Sequence, residues 1–149
     1  MMRTDTKIIV NSPVEHVWSH VVDQEKAPNW AAGVRNIRFI TDPPLRLGSK
    51  CAWTQTFIGK DIDAIHEVVE FEPYKVVTFK ADSGPFPITY RYTFEPIPDG
   101  TKLTMAVEGE PGGFFKLATP LLINIAQRTM FHSLENLKDL VEAEALVHA

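Results

Sequence analysis

The sequence predicts an α+β fold in which an antiparallel sheet is covered by one long C-terminal helix. Three observations predict it. Between Gly33 and Glu108 the chain falls into β-patterned runs separated by tight turns, and turns of hairpin length join antiparallel neighbours. Ahead of that region lie one strand and two short helical stretches. After it, Leu121 to Ala145 is the longest uninterrupted helical pattern in the chain. A sheet with an apolar face needs a cover, and this is the only long amphipathic element available.

The elements follow in order. Thr6 to Val10 is short and rich in β-branched residues, a strand. Asn11-Ser12-Pro13 ends it. Ser12 suits a helix N-cap, Pro13 the first helical position, and Glu15 completes a capping box. The helix that follows presents Val14, Val17, Trp18 and Val21 on one face. A second brief helical piece, Gln24 to Ala27, stops near Pro28, and Trp30 follows.

The strands then run Val34 to Ile40, Ser49 to Phe57, Ile62 to Phe71, Val76 to Ala81, Phe86 to Phe94 and Thr101 to Glu108. Their boundaries are Asp42-Pro43-Pro44, Gly59-Lys60-Asp61, Glu72-Pro73, Asp82-Ser83-Gly84-Pro85 and Pro98-Asp99-Gly100, all turn-forming. The last two strands alternate cleanly. Phe86, Ile88, Tyr90, Tyr92 and Phe94 share a face, as do Leu103, Met105 and Val107. Pro111-Gly112-Gly113 lets the chain turn into Phe114 to Thr119, where Phe114, Phe115 and Leu117 are candidates for a mouth or lid.

On a wheel of about 100° per residue, the long helix places Leu122, Ala126, Thr129, Met130, Ser133, Leu137, Leu140 and Val141 together. Arg128, His132, Glu135, Asp139 and Glu142 lie opposite. The middle of the apolar stripe is small: Ala126, Thr129 and Ser133. A helix packed fully on a sheet carries large groups there, so small ones either leave a cavity or receive large side chains from the sheet.

Bulk properties narrow the function. The chain has 149 residues, a length that fits one domain over 1–149 with a sizeable core. The net charge of -4, with no basic run, argues against a nucleic-acid partner. Cys51 is the single cysteine, expected to be a buried thiol in a reducing compartment. No apolar leader opens the chain and no run is long enough for a membrane span, so a soluble cytoplasmic protein without stable membrane insertion is expected.

Four stretches carry a family resemblance: Asn11 to Trp18, Pro28-Asn29-Trp30, Val68 to Pro73, and Tyr92 to Pro96 with Gly100-Thr101 and Leu134 to Glu142. Together they resemble the START-like (SRPBCC, Bet v 1-like) superfamily, in particular its polyketide cyclase/dehydrase-type branch. The resemblance implies a helix-grip fold: a seven-stranded antiparallel sheet curled around the C-terminal helix, two short helices after the first strand, and a cavity between sheet and helix. Members bind lipids, polyketides or other apolar molecules. Some are enzymes and some are carriers, so the fold does not fix the activity.

The expected ligand-binding wall is Trp53, Gln55, His66, Phe79, Tyr90, Tyr92 and Met105 on the sheet, facing Ala126, Thr129, Met130 and Ser133 on the helix. Mostly apolar walls with a few polar groups make a usual pocket. Alternation leaves two choices open: His66 or Glu67 inward, and Trp53 with Gln55 or Thr54 with Thr56 inward. His66 would orient a ligand or act as a base. His16 and His20 lie four apart on the first helix, a spacing open to a weak two-ligand surface site, but a solvated helix face is expected. No metal or cofactor pattern stands out, and neither a nucleophile elbow nor a phosphate loop is present.

Three functions fit: binding of a small hydrophobic, lipid- or polyketide-like molecule; a polyketide cyclase/aromatase- or dehydratase-type enzyme moving protons with His66 and Tyr90 or Tyr92; or a protein-interaction module at Pro111 to Thr119. The sequence leaves the oligomeric state open.

Overall fold

The computed structural model describes residues 2–57, 59–82, 86–112 and 114–147, with the side chains of Phe57, Phe114 and Phe115 excepted. Ser83-Gly84-Pro85, Gly113 and His148 lie outside the described residues, as do the phenyl rings expected at the mouth.

Seven strands form one sheet: β1 (Met2–Val10), β2 (Val34–Phe39), β3 (Lys50–Phe57), β4 (Lys60–Glu72), β5 (Val76–Ala81), β6 (Ile88–Ile97) and β7 (Gly100–Gly109). Their order is β1-β7-β6-β5-β4-β3-β2, and every neighbouring pair is antiparallel. Strands β2 to β7 are therefore a meander of sequential neighbours. The strand β1 pairs with the last of them, and the chain crosses from that edge to the opposite one through α1 (Val14–Val22), a 3-10 turn (Gln24–Lys26) and α2 (Ala27–Trp30). A four-residue helix α3 (Phe114–Leu117) leads into α4 (Thr119–Val147). At 29 residues α4 is about 43 Å long.

Pairing stretches β1 beyond the expected Thr6 start. Met2 to Val10 matches Gly109 to Thr101 residue by residue, and Met2 and Thr4 are buried. A long partner strand overrides the weak local propensity of Arg3-Thr4-Asp5. In β4 a bulge between Val68 and Glu70 shifts the alternation. Before it His66 and Val68 face the core. After it Phe71 packs against Trp18, at 5.5 Å between ring centroids, while Glu70 turns outward to Arg91 and Thr78. The extra residue thereby keeps a carboxylate out of the interior.

Three local expectations are corrected. Ser12 does not cap α1; the cap position is Pro13, with no side-chain hydrogen bond. The Ser12 hydroxyl instead meets His16 Nδ1 at 2.8 Å, and its carbonyl accepts from Thr101 Oγ1 at 2.9 Å. Pro28 does not stop a helix but sits in the first turn of α2, where a missing N–H costs nothing. Pro120 lies inside α4 for the same reason. On α4 the buried set also includes Leu134, fully enclosed, which the wheel left off the apolar stripe.

The core joins α1, α4 and the concave face of the sheet. Leu134, Leu137 and Val141 of α4, Val17 of α1, Val77 of β5 and Leu103 of β7 are wholly buried. Trp18 packs edge-on to Phe94 at 5.1 Å. The turn from β6 into β7 passes close under β1: a Cβ on Gly100 would stand 2.2 Å from the Val10 carbonyl oxygen. Gly100→Ala is therefore expected to cost about 1–3 kcal/mol or more, as for overpacking. Gly112→Ala, with nothing within 4 Å, is expected to be near neutral. Urea unfolding of the two variants checks the contrast.

Candidate functional site

A cavity of about 160 Å³ lies between the concave face of the sheet and the first half of α4. Its origin is local. On β4 and β5 the inward positions beside large aromatics carry alanine: Ala64 pairs with Trp53, and Ala81 pairs with both His66 and Ile88. On α4 the facing residues are Ile125, Ala126 and Thr129, all half-buried. Small residues on both walls leave space that the large neighbours do not reach.

All eleven residues expected on the wall line this cavity: Trp53, Gln55, His66, Phe79, Tyr90, Tyr92 and Met105 from the strands, and Ala126, Thr129, Met130 and Ser133 from α4. Both open choices of facing resolve. His66 points inward and is 1% exposed, while Glu67 points outward toward Lys50 at 3.9 Å. Trp53 and Gln55 face the cavity, and Thr54 turns away to bond Asp63. Thr56 stands at the margin. It accepts from Arg35 Nη1 at 3.0 Å and donates to Asp61 at 3.2 Å, giving the cavity a charged, hydrogen-bonded edge.

The sheet side is a chain of aromatic rings. Trp30 meets Tyr92 at 6.2 Å, Tyr92 meets Phe79 at 6.2 Å, and Phe79 meets Trp53 at 6.3 Å, all edge-on. Trp53 then stacks on His66 at 3.6 Å, and His66 lies 5.9 Å from Tyr90. Edge-to-face and offset contacts of this kind hold rings in place beyond their burial.

Residues the sequence reading missed complete the enclosure. Gln24, Trp30 and Ile125 also line the cavity. Trp30 makes two hydrogen bonds, its Nε1 donating to the His20 carbonyl at 3.3 Å and its carbonyl accepting from Asn136 at 3.3 Å, and the nearby Ala32 N–H donates to Ser133 Oγ at 2.9 Å. Ser133 is thus small for two reasons: it borders the cavity and it serves as a hydrogen-bond acceptor. The Pro28-Asn29-Trp30 motif was the available signal for Trp30. Gln24 gave none, because a single glutamine in a short helical stretch reads as surface.

Burial sets the protonation of the wall. Desolvation pulls the His66 imidazole down to about 4, opposed more weakly by the Ala64 backbone, so the ring is neutral at pH 7. Desolvation pushes the Tyr90 phenol up to about 12. Tyr92 is raised by desolvation and then by the neighbouring Tyr90. Cys51 is buried, and its thiol is raised mainly by desolvation. The groups facing the cavity are therefore neutral donors and acceptors.

Among the described residues, four buried side-chain polar atoms have no hydrogen-bond partner: Thr4 Oγ1, Gln24 Oε1, Trp53 Nε1 and His66 Nδ1. The last three belong to residues lining the cavity. Outside the cavity, the expected solvated face at His16 and His20 is corrected. His20 is buried, and both rings meet Glu144 of α4. No described helix is long and apolar enough to cross a membrane.

A family model described as polyketide cyclase / dehydrase and lipid transport matches residues 1–142. No curated protein sequence matches the chain. Among solved structures, TTHA0849 from Thermus thermophilus is 18% identical, covers 95% of this chain and 98% of its own, and superposes with a TM-score of 0.82. A conserved protein from Geobacillus kaustophilus is 21% identical, with coverages of 95% and 96% and a TM-score of 0.77. The ZhuI aromatase/cyclase from Streptomyces sp. R1128 is 11% identical, with coverages of 96% and 94% and a TM-score of 0.78. At these identities the likeness is one of fold, and it is the helix-grip fold.

The buried imidazole has a consequence for stability. Its value falls from 6.5 to about 4 on folding, so between those limits the unfolded chain binds more protons and acid favours unfolding. Its share of stability is intact above pH 6.5 and declines as pH falls toward 4, by about 3 kcal/mol in all. His66→Phe is expected to flatten that part of the pH profile, read as the difference between wild-type and variant urea melts at pH values across the window.

Proposed function

This chain belongs to the polyketide cyclase / dehydrase and lipid transport family, and from that premise we propose that it holds one compact, mostly apolar ligand bearing hydroxyl or carbonyl groups. The ligand sits between the aromatic wall of the sheet and the small-residue face of α4. Trp53, Phe79, Tyr92, Met105, Ala126 and Met130 supply apolar contact. Gln24, Trp53 and His66 supply the polar contacts, with Gln55, Tyr90, Thr129 and Ser133 around them.

The observation that carries this reading is that three residues lining the cavity, Gln24, Trp53 and His66, each hold a buried polar atom without a partner. A buried polar atom without a partner costs about 1–3 kcal/mol. A ligand with matching groups recovers that cost, and a bare hydrocarbon does not. This favours a polyketide-like ring compound over an acyl chain. Size points the same way. An apolar cavity of about 150 Å³ admits benzene, whereas drug-sized ligands occupy roughly 300–1,000 Å³. A volume of about 160 Å³ suits one or two rings.

A cyclase-type enzyme is the second reading, favoured by His66 lying 5.9 Å from Tyr90 in the same cavity. Efficient acid–base catalysis needs groups titrating near the working pH. Here the imidazole sits near 4 and the phenol near 12, and His66 Nδ1 has no partner. Binding is the better fit. A free, buried Cys51 accords with a reducing, cytoplasmic setting.

Calorimetric titration with naphthol and with naphthalene tests the proposal. Naphthol is expected to bind at one site per chain, about tenfold more tightly than naphthalene, the worth of one recovered hydrogen bond. His66→Phe is expected to remove most of that difference. Ala126→Leu is expected to block both ligands while preserving the fold. Absence of binding by either compound, or full binding in Ala126→Leu, overturns it.

A further inference from the structure

We propose that His16, His20 and Glu144 form a binding site for a divalent transition cation, zinc above all, clamping α1 to the end of α4. His16 and His20 stand one turn apart on one face of α1, and Glu144 approaches from the last turns of α4. His20 Nε2 lies 2.8 Å from Glu144 Oε2, and His16 Nε2 lies 3.4 Å from Glu144 Oε1. One ligand atom from each of the three residues lies within 4.8 Å of the others. Zinc bonds of about 2.0–2.1 Å in a tetrahedron set ligand atoms about 3.3 Å apart, so rotamer-scale movement closes the site.

The hydrogen bonds behind the rings are what distinguish this cluster from an ordinary ion pair. His20 Nδ1 lies 3.1 Å from the His16 carbonyl oxygen, and His16 Nδ1 lies 2.8 Å from Ser12 Oγ. A carbonyl only accepts, so in the tautomer that makes this bond His20 Nδ1 carries the hydrogen. In the neutral ring Nε2 is then a bare lone pair facing a carboxylate oxygen. Two acceptors at that distance need a positive species, either a proton or a metal ion. A ring whose outer nitrogen donates to a backbone carbonyl, leaving the inner one free, is the usual arrangement around a metal-bound histidine.

Exposure fits a site that fills from solvent. The His20 side chain is 1% exposed, that of His16 28% and that of Glu144 37%. The first anchors the ion and the other two flank the approach, where water supplies a fourth ligand. Two imidazoles and one carboxylate suit zinc, copper or nickel. Magnesium and calcium prefer oxygen cages of higher coordination. The clamp sits behind the ligand cavity: the His20 carbonyl accepts from Trp30 Nε1 at 3.3 Å, and Val21 and Trp30 line the cavity. Its role is to fix that wall, and it stands independently of any ligand in the cavity.

The test is calorimetric titration of zinc chloride into the full chain after chelator treatment. One zinc per chain is expected, with a dissociation constant on the order of micromolar or below, and magnesium chloride is expected to give no site. His20→Ala removes a buried side chain and risks the fold, so Glu144→Gln and His16→Ala decide. Each is expected to weaken zinc binding at least tenfold and to abolish the rise in melting temperature that zinc gives the wild type. Each should keep the wild-type circular dichroism spectrum without metal. His132→Ala, at an exposed histidine elsewhere on α4, is expected to bind as the wild type does. A wild-type chain without a saturable one-to-one site, or wild-type affinity in both Glu144→Gln and His16→Ala, overturns the proposal.

Discussion

One face of α4 meets two opposed demands, and the rest of the molecule is arranged around them. Toward its C-terminal end the helix must fill space. Leu134, Leu137 and Val141 are wholly buried there, each worth roughly 1.5–3 kcal/mol of apolar burial. Toward its start it must leave space, with Ile125, Ala126 and Thr129 half-buried around the cavity. Close packing is the default for protein interiors, so an unfilled stretch needs support from elsewhere. The buried far end of the helix supplies it, together with a sheet in which every strand from β1 to β2 is paired with its neighbours.

The walls are held open by contacts that do not themselves occupy the cavity. The ring chain from Trp30 through Tyr92 and Phe79 to Trp53 and His66 braces the sheet side. Hydrogen bonds from Ala32 to Ser133 and from Asn136 to the Trp30 carbonyl tie the connection after α2 to α4. Within this frame the unpartnered atoms of Gln24, Trp53 and His66 stand out. Among the described residues one other buried side-chain polar atom, Thr4 Oγ1, lacks a partner, whereas Glu70, displaced by the bulge, gains Thr78 and Arg91. Three of the four such atoms belong to residues around one cavity, and an unsatisfied buried group calls for a physical explanation.

Much of this was legible in the sequence, because period and size are local signals. Alternation from Phe86 to Phe94 and from Leu103 to Val107 gave the inward faces of β6 and β7, and Ala126, Thr129 and Ser133 in mid-stripe gave the place of the cavity. What was not legible depended on long-range partners. The choice between His66 and Glu67 needed the register of β4 against β3 and β5. Ser12 read as a helix cap because the pairing of its carbonyl with Thr101 Oγ1, 89 residues on, could not be read locally. His16 and His20 read as solvated because Glu144 lies 128 and 124 residues away in the chain. The inward role of Ala64 and Ala81 was hidden for a related reason: a small residue in a strand carries no signal until its large neighbours are known.

Native mass spectrometry of the purified chain, after exposure to a cell extract, bears most directly on the central claim that the space under α4 is a binding site. The account predicts a second species heavier than the bare chain by one small organic molecule, at one copy per chain, absent when Ala126→Leu is treated identically. Only the bare chain in the wild type, or the same adduct in both proteins, contradicts it.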